Sequence, residues 1–506
     1  MQCPYNIAEM IRLTAALALA FLVNATVCGG AMARRYRDLF FEPPPQVALP
    51  TYYNAGTQYC QHAEYAKAIP YLKRAVELHP KDTNAFYNLG IAYTGTRRYK
   101  EAIAAFEAVL KIDPHYIDAY INKGSCENRC GKRRQAVVDY TKAMSLTGSP
   151  KADLLYDRGS TLCLLKDYDK SIADLNELIA LDPKNHHGYY YRGFAYVGLN
   201  KLQEAIADFN SYIHICGGDK EALQARGDAY FALGQYVNAV HDYSEALRFD
   251  PNFVEVLASR SLLYTRLGQS QLAIKDANEI IKQGHSKADG YGLRAFAQFA
   301  ARDLNGARGD CDACKQITQN NYLQHFVSGM LEWRKNETDA ALSELATSIR
   351  LKPAFDESYY NRGIILCSIE QYKNAQTDFE KALAIGPPSA GAKNNLGYAL
   401  MKQGQFQAAQ AQFDQALQLD SKFAEAYSNR GFVRLQLGET AQAVEDCEKA
   451  VKLNPQLAEA HFHLGLAYDK FGSADMAAHE FAKAGELGDK TDASTRKLTG
   501  TNDTLK

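Results

Sequence analysis

Apolar residues from Thr83 to Pro114 fall at helical spacing: Phe86, Leu89, Gly90 and Tyr93 follow the i, i+3, i+4, i+7 rule, and Ala102, Phe106 and Val109 continue it further on. Two short helices are predicted. The turn between them is expected at Thr94 to Arg98, which holds a glycine and no core residue. Pro114 ends the second helix, because its ring clashes with the preceding turn and it has no amide hydrogen to donate. A hairpin this small cannot bury its apolar faces alone and must recur.

It does recur. Units begin at Leu49, Thr83, Ile117, Ala152, His186, Lys220, Val254, Ala288, Tyr322, Asp356, Ala390, Ala424 and Ala458, thirteen in all, with one extra residue between Met144 and Ala152 and an expected end at Thr491. With Thr83 as position 1, positions 4, 7, 8, 11, 20, 24, 27 and 32 carry Phe86, Leu89, Gly90, Tyr93, Ala102, Phe106, Val109 and Pro114. That pattern resembles the tetratricopeptide repeat family. The resemblance implies an all-α fold, a right-handed α-solenoid of thirteen helical hairpins whose first helices line the concave side. Stability in such a stack is roughly a sum of unit and interface contributions. Glycine at position 8 lets the partner helix approach, and a larger residue there is expected to cost about 1–3 kcal/mol through overpacking. From Val254 to Asn321 the matches are poorest: Ser261 and Ala295 replace that glycine, Ala277 and Cys311 replace the large residue at position 24, and His285 and Gln319 replace the proline. A softer joint is predicted there.

Motif residues stack the repeats, so specificity is expected at the positions the motif leaves open. Position 6 reads Asn54, Asn88 and Asn122 near one end and Asn361, Asn395 and Asn429 near the other. An amide both donates and accepts, which suits it to hold an extended peptide backbone. Two asparagine ladders are read here, similar to the ladder of O-GlcNAc transferase-type superhelices; the competing reading is that the amides bond within the array. Between the ladders the same face turns aromatic, with Tyr190, Phe194, Phe231, Phe296, Phe326, Met330 and Trp333, preceded by Tyr87 at the first ladder. A contiguous apolar strip of this kind marks a binding surface when exposed. The lysine and asparagine with which chaperone-tail receptors of this family clamp a terminal carboxylate are missing from positions 5 and 9.

Charge and chemistry narrow the picture further. Lys and Arg number 57 against 58 Asp and Glu, a formal net charge of −1, which removes the attraction on which nonspecific nucleic-acid binding depends. No nucleic-acid partner is expected. Eleven cysteines cannot all pair, and Cys311 and Cys314, the one pair at metal or redox spacing, fall on core positions. No metal or other cofactor is expected. No phosphate loop or nucleophile elbow occurs, and the residues outside the array are too few for a catalytic domain, so no enzyme is read here.

Residues 1–33 differ in kind. Leu13 to Val23 is an apolar run after Arg12, followed by small residues at Val23-Asn24-Ala25, and reads as a signal peptide for export. Alternatively the uncharged stretch from residue 13 to residue 33 is a membrane anchor, with Arg34, Arg35 and Arg37 keeping the repeats cytoplasmic. Residues 34–48 form a proline-rich spacer, and residues 492–506 a polar tail. The function expected is a protein–protein interaction scaffold that holds extended or amphipathic segments of partner proteins or peptides in the concave groove. The alternative is a regulatory or targeting subunit that positions a separate enzyme such as a glycosyltransferase.

Overall fold

The computed structural model describes residues 49–149, 151–284 and 286–488. Among them are twenty-six α-helices and no strand, running from Leu49–Gln61 to Ala474–Glu486 in thirteen successive pairs such as Thr83–Gly95 with Tyr99–Ile112. In the eighth pair the first helix opens at Lys287, one residue ahead of the repeat register. The signal or anchor segment, the spacer, the tail and the expected array end at Thr491 lie outside the described residues. No helix among the described residues is long and apolar enough to cross a membrane. The chain divides into two compact units, Met1–Leu199 and Asn200–Lys506. The described part of the first ends with the helix His186–Gly198, and the second opens with Leu202–Cys216.

Each hairpin closes on one contact. A Cβ placed on Gly90 would lie 2.5 Å from the Phe106 ring, and one on Gly124, Gly227 or Gly363 would meet Tyr140, Tyr243 or Phe379 at 2.7 to 2.8 Å. Position 8 is therefore bare because the large side chain at position 24 occupies the space. Those rings are buried: Phe106 and Phe379 are 0 % exposed, Tyr140 and Tyr243 1 %.

The two repeats that break this rule break it at both ends. Ser261 faces a shortened Ala277, and Ala295 a shortened Cys311, so atoms gained on one helix are removed from the other. All four are buried, and the Ser261 hydroxyl donates to the Ala273 carbonyl at 2.9 Å. The stretch Val254 to Asn321, where a softer joint is expected, lies within a continuous apolar cluster that runs from Leu223 to Ile365.

The turn inside each hairpin is also uniform. Position 15 takes a left-handed conformation throughout, at glycine in Gly131, Gly234, Gly268, Gly404, Gly438 and Gly472, but at Ala63, Arg97, Lys166, Asn200, Arg302, Asn336 and Glu370 elsewhere. The next amide then bonds back to the carbonyl five residues earlier, as Arg98 does to Tyr93 at 2.8 Å, which closes the helix end. In the second repeat the bend is thus made at Arg97, whereas Gly95 lies inside its helix, where a Cβ would meet the Tyr65 ring at 2.2 Å.

Left-handed backbone costs an ordinary residue about 1 kcal/mol. Arg97→Gly, Arg302→Gly and Glu370→Gly are each expected to raise stability by about 0.5–1 kcal/mol in chemical denaturation, whereas Gly95→Ala should lower it. For the exchanged pair, Cys311→Phe alone should destabilise by about 1–3 kcal/mol against Ala295. Adding Ala295→Gly should recover most of that loss, and additive effects in the double-mutant cycle would refute the pairing.

Candidate partner-binding face

In the first unit the face of the first helices that carries positions 5 and 6 is half open. Asn54 is exposed, while Tyr87, Asn88 and Asn122 are half-buried. The Asn88 amide nitrogen donates to the Thr57 hydroxyl at 3.0 Å and to the Tyr53 hydroxyl at 3.4 Å. One repeat on, the Asn122 nitrogen donates to the Tyr87 hydroxyl at 2.9 Å and to the Asp118 carbonyl at 2.9 Å. Each asparagine thus spends its donor on the preceding helix or on its own. Burial, then the Asp118 carboxylate and Tyr116, push the Tyr87 phenol up to about 12, so it stays neutral. Neither Asn88 nor Asn122 has a hydrogen bond to its side-chain oxygen among the described residues, and neither oxygen is shut away from solvent. The aromatic row continues as a packed set: Tyr190 lies edge-on to Phe194 at 4.9 Å and to Tyr191 at 5.3 Å, and Tyr191 meets Tyr156 at 5.9 Å.

The second unit treats the same positions differently, and several expected site residues are corrected here. Asn395 is 0 % exposed; its nitrogen donates to the Tyr360 hydroxyl at 3.1 Å and its oxygen accepts from Asn394 at 3.3 Å. Asn429 is buried and donates to Asn394 at 3.0 Å, and Asn361 is buried and donates to the Glu357 carbonyl at 2.8 Å. Asn395 and Asn429 tie neighbouring helices to one another, and Asn361 bonds within its own helix.

The aromatic middle is covered as well. Phe296, Phe326 and Met330 are buried, because Phe355 from the loop before Asp356–Ser368 packs on them, 6.1 Å from Phe296 and 5.4 Å from Phe326. Trp333 is half-buried with Leu342 at the join of two apolar clusters, and Phe231 is half-buried with the Arg266 guanidinium 5.1 Å above its ring. Phe296, Phe326 and Met330, expected to lie open, are core, whereas Tyr190, Phe194, Phe231 and Trp333 are half-buried.

Arg266 explains why this face closes. Its guanidinium bonds both Asp356 and Glu357, ninety residues further along the chain, at the first turn of Asp356–Ser368. A contact of that span joins the seventh repeat to the tenth and draws the intervening first helices together.

Family models described as TPR repeat match residues 227–268 and 397–438, and others described as tetratricopeptide repeat match 53–117, 154–220, 356–387 and 424–457, together just over half of the chain. The chain belongs to the tetratricopeptide repeat family. Among solved structures, the Cut9–Hcn1 hetero-tetramer of the APC/C is similar at 15 % identity over 91 % of this chain and 96 % of that one, with a TM-score of 0.51, a likeness of fold. YrrB, a TPR protein described as having an unusual peptide-binding site, matches at 22 % identity over 36 % of this chain and 95 % of its own, with a TM-score of 0.31. A tetratricopeptide repeat protein from Parabacteroides merdae matches at 19 % identity over 49 % and 98 %, with a TM-score of 0.44.

Beyond the family motif, this tetratricopeptide array has a charge ladder of its own. Arginine at position 7 makes a two-pronged bond to aspartate at position 23 of the same hairpin in Arg158–Asp174, Arg226–Asp242, Arg260–Asp276, Arg294–Asp310, Arg362–Asp378 and Arg430–Asp446, at 2.6 to 2.8 Å. Most of these arginines also reach back to the preceding repeat, as Arg226 does to Asn210 and Arg430 to Asp414, both at 2.6 Å. The planar fork of arginine suits such geometry. Sequence reading missed these pairs, although their constant spacing of sixteen residues is a signal it could have used.

The cysteines expected to pack do so. Cys311 and Cys314 are buried free thiols facing the Gln324 and Ala288 carbonyls, and burial pushes them up to about 12 and about 11. Among the described residues no group of three or more His, Cys, Asp and Glu side chains could hold a metal ion.

The third repeat departs from the ladder. Lys123 replaces the arginine and lies 3.1 Å from Asp139 and 3.8 Å from Glu127, both buried. A single ammonium is shared among three carboxyls, Glu107 being the third at 4.0 Å; it donates to Asp139 Oδ1 at 3.4 Å, while Glu127 Oε2 and Asp139 Oδ2 find no hydrogen bond. Burial, then the Asp139 charge, pushes the Glu127 carboxyl up to about 7. The folded chain therefore holds this proton where the unfolded chain releases it, and stability falls as pH rises from about 4.5 to about 7. Glu127→Gln is expected to remove that part of the slope in thermal melts taken across this window. An unchanged slope would show that Glu127 is ionised throughout.

Proposed function

We propose that this protein is a non-catalytic scaffold that holds an extended segment of a partner protein along the first helices of its first unit. The observation that carries the reading is the fixed posture of Asn88 and Asn122: their nitrogens are spent on Thr57, Tyr53, Tyr87 and Asp118, which leaves a row of side-chain oxygens to accept amide hydrogens from a strand-like backbone. The neighbouring rings of Tyr87 and Tyr116, 5.2 Å apart, and of Tyr190 and Phe194 supply apolar contact for side chains on either side of that backbone. Recognition of this kind takes main-chain groups first and is permissive about sequence. Membership of the tetratricopeptide repeat family supports a protein partner in general, and the description of YrrB as peptide-binding is in keeping with it.

The test compares the two ladders. Binding of an immobilised library of random unstructured peptides is expected to fall about five- to tenfold per residue for Asn88→Ala and Asn122→Ala, at about 1 kcal/mol for each lost hydrogen bond. Asn395→Ala should lower the melting temperature and leave peptide retention at the wild-type level. Equal retention by all three variants would sink the proposal.

A further inference from the structure

Where arginine stands at position 7 it neutralises the buried aspartate at position 23, as Arg226 does Asp242, and a guanidinium keeps its charge throughout the working pH range. The ninth hairpin keeps an acid at position 23 but lacks the arginine: Ser328 stands at position 7, and the acid is Glu344, one methylene longer. The cation has moved to position 4, as His325, in place of the aromatic residue seen at Phe86. Its Nδ1 lies 2.5 Å from Glu344 Oε2, and its Nε2 lies 3.0 Å from the Gln319 carbonyl oxygen. The thirteenth hairpin repeats this geometry, with Leu464 at position 7 and His461 placed 2.6 Å from Glu480 and 3.1 Å from the Pro455 carbonyl oxygen.

The partners of His325 dictate its protonation. A carboxylate and a carbonyl can only accept, and a neutral imidazole has a single N–H, so it would satisfy one of them and turn a lone pair towards the other. Only the imidazolium donates to both. His325 is 9 % exposed, which keeps water from making good a lost bond. The second of the two bonds holds a connection between repeats. Gln319 stands where Pro114 and Pro455 close other hairpins, and His325 ties its carbonyl to Glu344 in the helix Thr338–Leu351.

Few other charges bear on the ring. Helix Leu304–Ile317 brings Lys315, which opposes the imidazolium, and in Lys287–Ala300 the Asp289 carboxylate accepts from Asn321 at 3.0 Å. The Glu344 bond, against the cost of burial, pushes the His325 imidazole above its ordinary 6.5, and the same bond holds the Glu344 carboxyl below its ordinary range. The folded chain therefore grips the imidazole proton more tightly than the unfolded chain. The resulting stabilisation is complete below about 6.5 and is lost as pH rises through the raised value.

We propose that His325 is a proton-dependent clamp on the joint between the eighth and ninth repeats, closed while the imidazole carries both protons and opened when one leaves. The clamp lies wholly within the second unit and does not depend on the asparagine row of the first.

The experiment is hydrogen exchange of the full chain from about pH 6 to about pH 9, read by mass spectrometry and corrected for the intrinsic rate at each pH. Protection of residues 318–326 is expected to fall about five- to tenfold across that range, as for the loss of one hydrogen bond. Residues 420–428, the entry to a hairpin held by Arg430, should keep theirs. The His325→Tyr, Glu344→Gln double variant should make residues 318–326 indifferent to pH, because a tyrosine can still donate to that carbonyl, as Tyr189 does to Pro183 at 3.3 Å. In NMR of the ¹³C-histidine-labelled chain, His325 should titrate with a midpoint above that of free histidine, and Glu344→Gln should lower it. Constant protection in the wild type, an equal fall in both segments, a fall that persists in the double variant, or a midpoint at or below that of free histidine would each overturn the proposal. Should the double variant fail to fold, the comparison of the two wild-type segments decides by itself.

Discussion

Everything in this chain depends on how closely two helices of one hairpin approach, and that distance is set where position 8 meets the side chain at position 24. With glycine on one side, a phenyl or phenol ring fills the gap, as at Gly90 with Phe106. Where the glycine is lost, as at Ser261 and Ala295, the opposing residue is small as well, Ala277 and Cys311, and all four are buried. Close packing of protein interiors couples the two choices.

Given a common frame, the two units differ in what they do with the face that the motif leaves undetermined. In the first, tyrosine at position 5 and asparagine at position 6 of the next repeat form a tie that still leaves an acceptor outward, at Tyr53 with Asn88 and Tyr87 with Asn122. In the second, the same tie recurs between Tyr360 and Asn395 but is buried. In the second unit Phe355 packs on Phe296 and Phe326, and Arg266 binds Asp356 and Glu357. Identical residues at identical positions are thus half-open in one setting and a buried seam in the other.

The helices, their pairing and their register were legible in the sequence because they rest on local periodicity and on residues such as Gly90 and Pro114 whose roles are intrinsic. The interior ladder of Arg226 with Asp242 and its counterparts was also present as a constant spacing, though no motif points to it. What could not be read was whether a position-6 amide would be covered. Asn395 and Asn429 are tied to Tyr360 and Asn394, thirty-five residues away, and Phe326 packs on Phe355, contacts that no local pattern announces. The pairing of small residues across a hairpin, Ser261 with Ala277 and Ala295 with Cys311, shows only when positions 8 and 24 are read together.

The placement of the guanidinium–carboxylate ladder has a bearing on how such a chain can change length. Arg226 and Asp242 sit in one hairpin, as do Arg362 and Asp378, so a hairpin copied or deleted as a block carries both halves of its ion pair and strands no buried charge. Arrays of this design can grow or shrink by whole repeats at little electrostatic penalty. The Arg266 link spans further, since it requires three steps between the seventh and tenth repeats, whereas Arg430 reaches only to Asp414 of the preceding one. Insertion or loss of a hairpin between them would part Arg266 from its carboxylates, so the link acts as a ruler that holds the repeat number of the second unit fixed across that stretch.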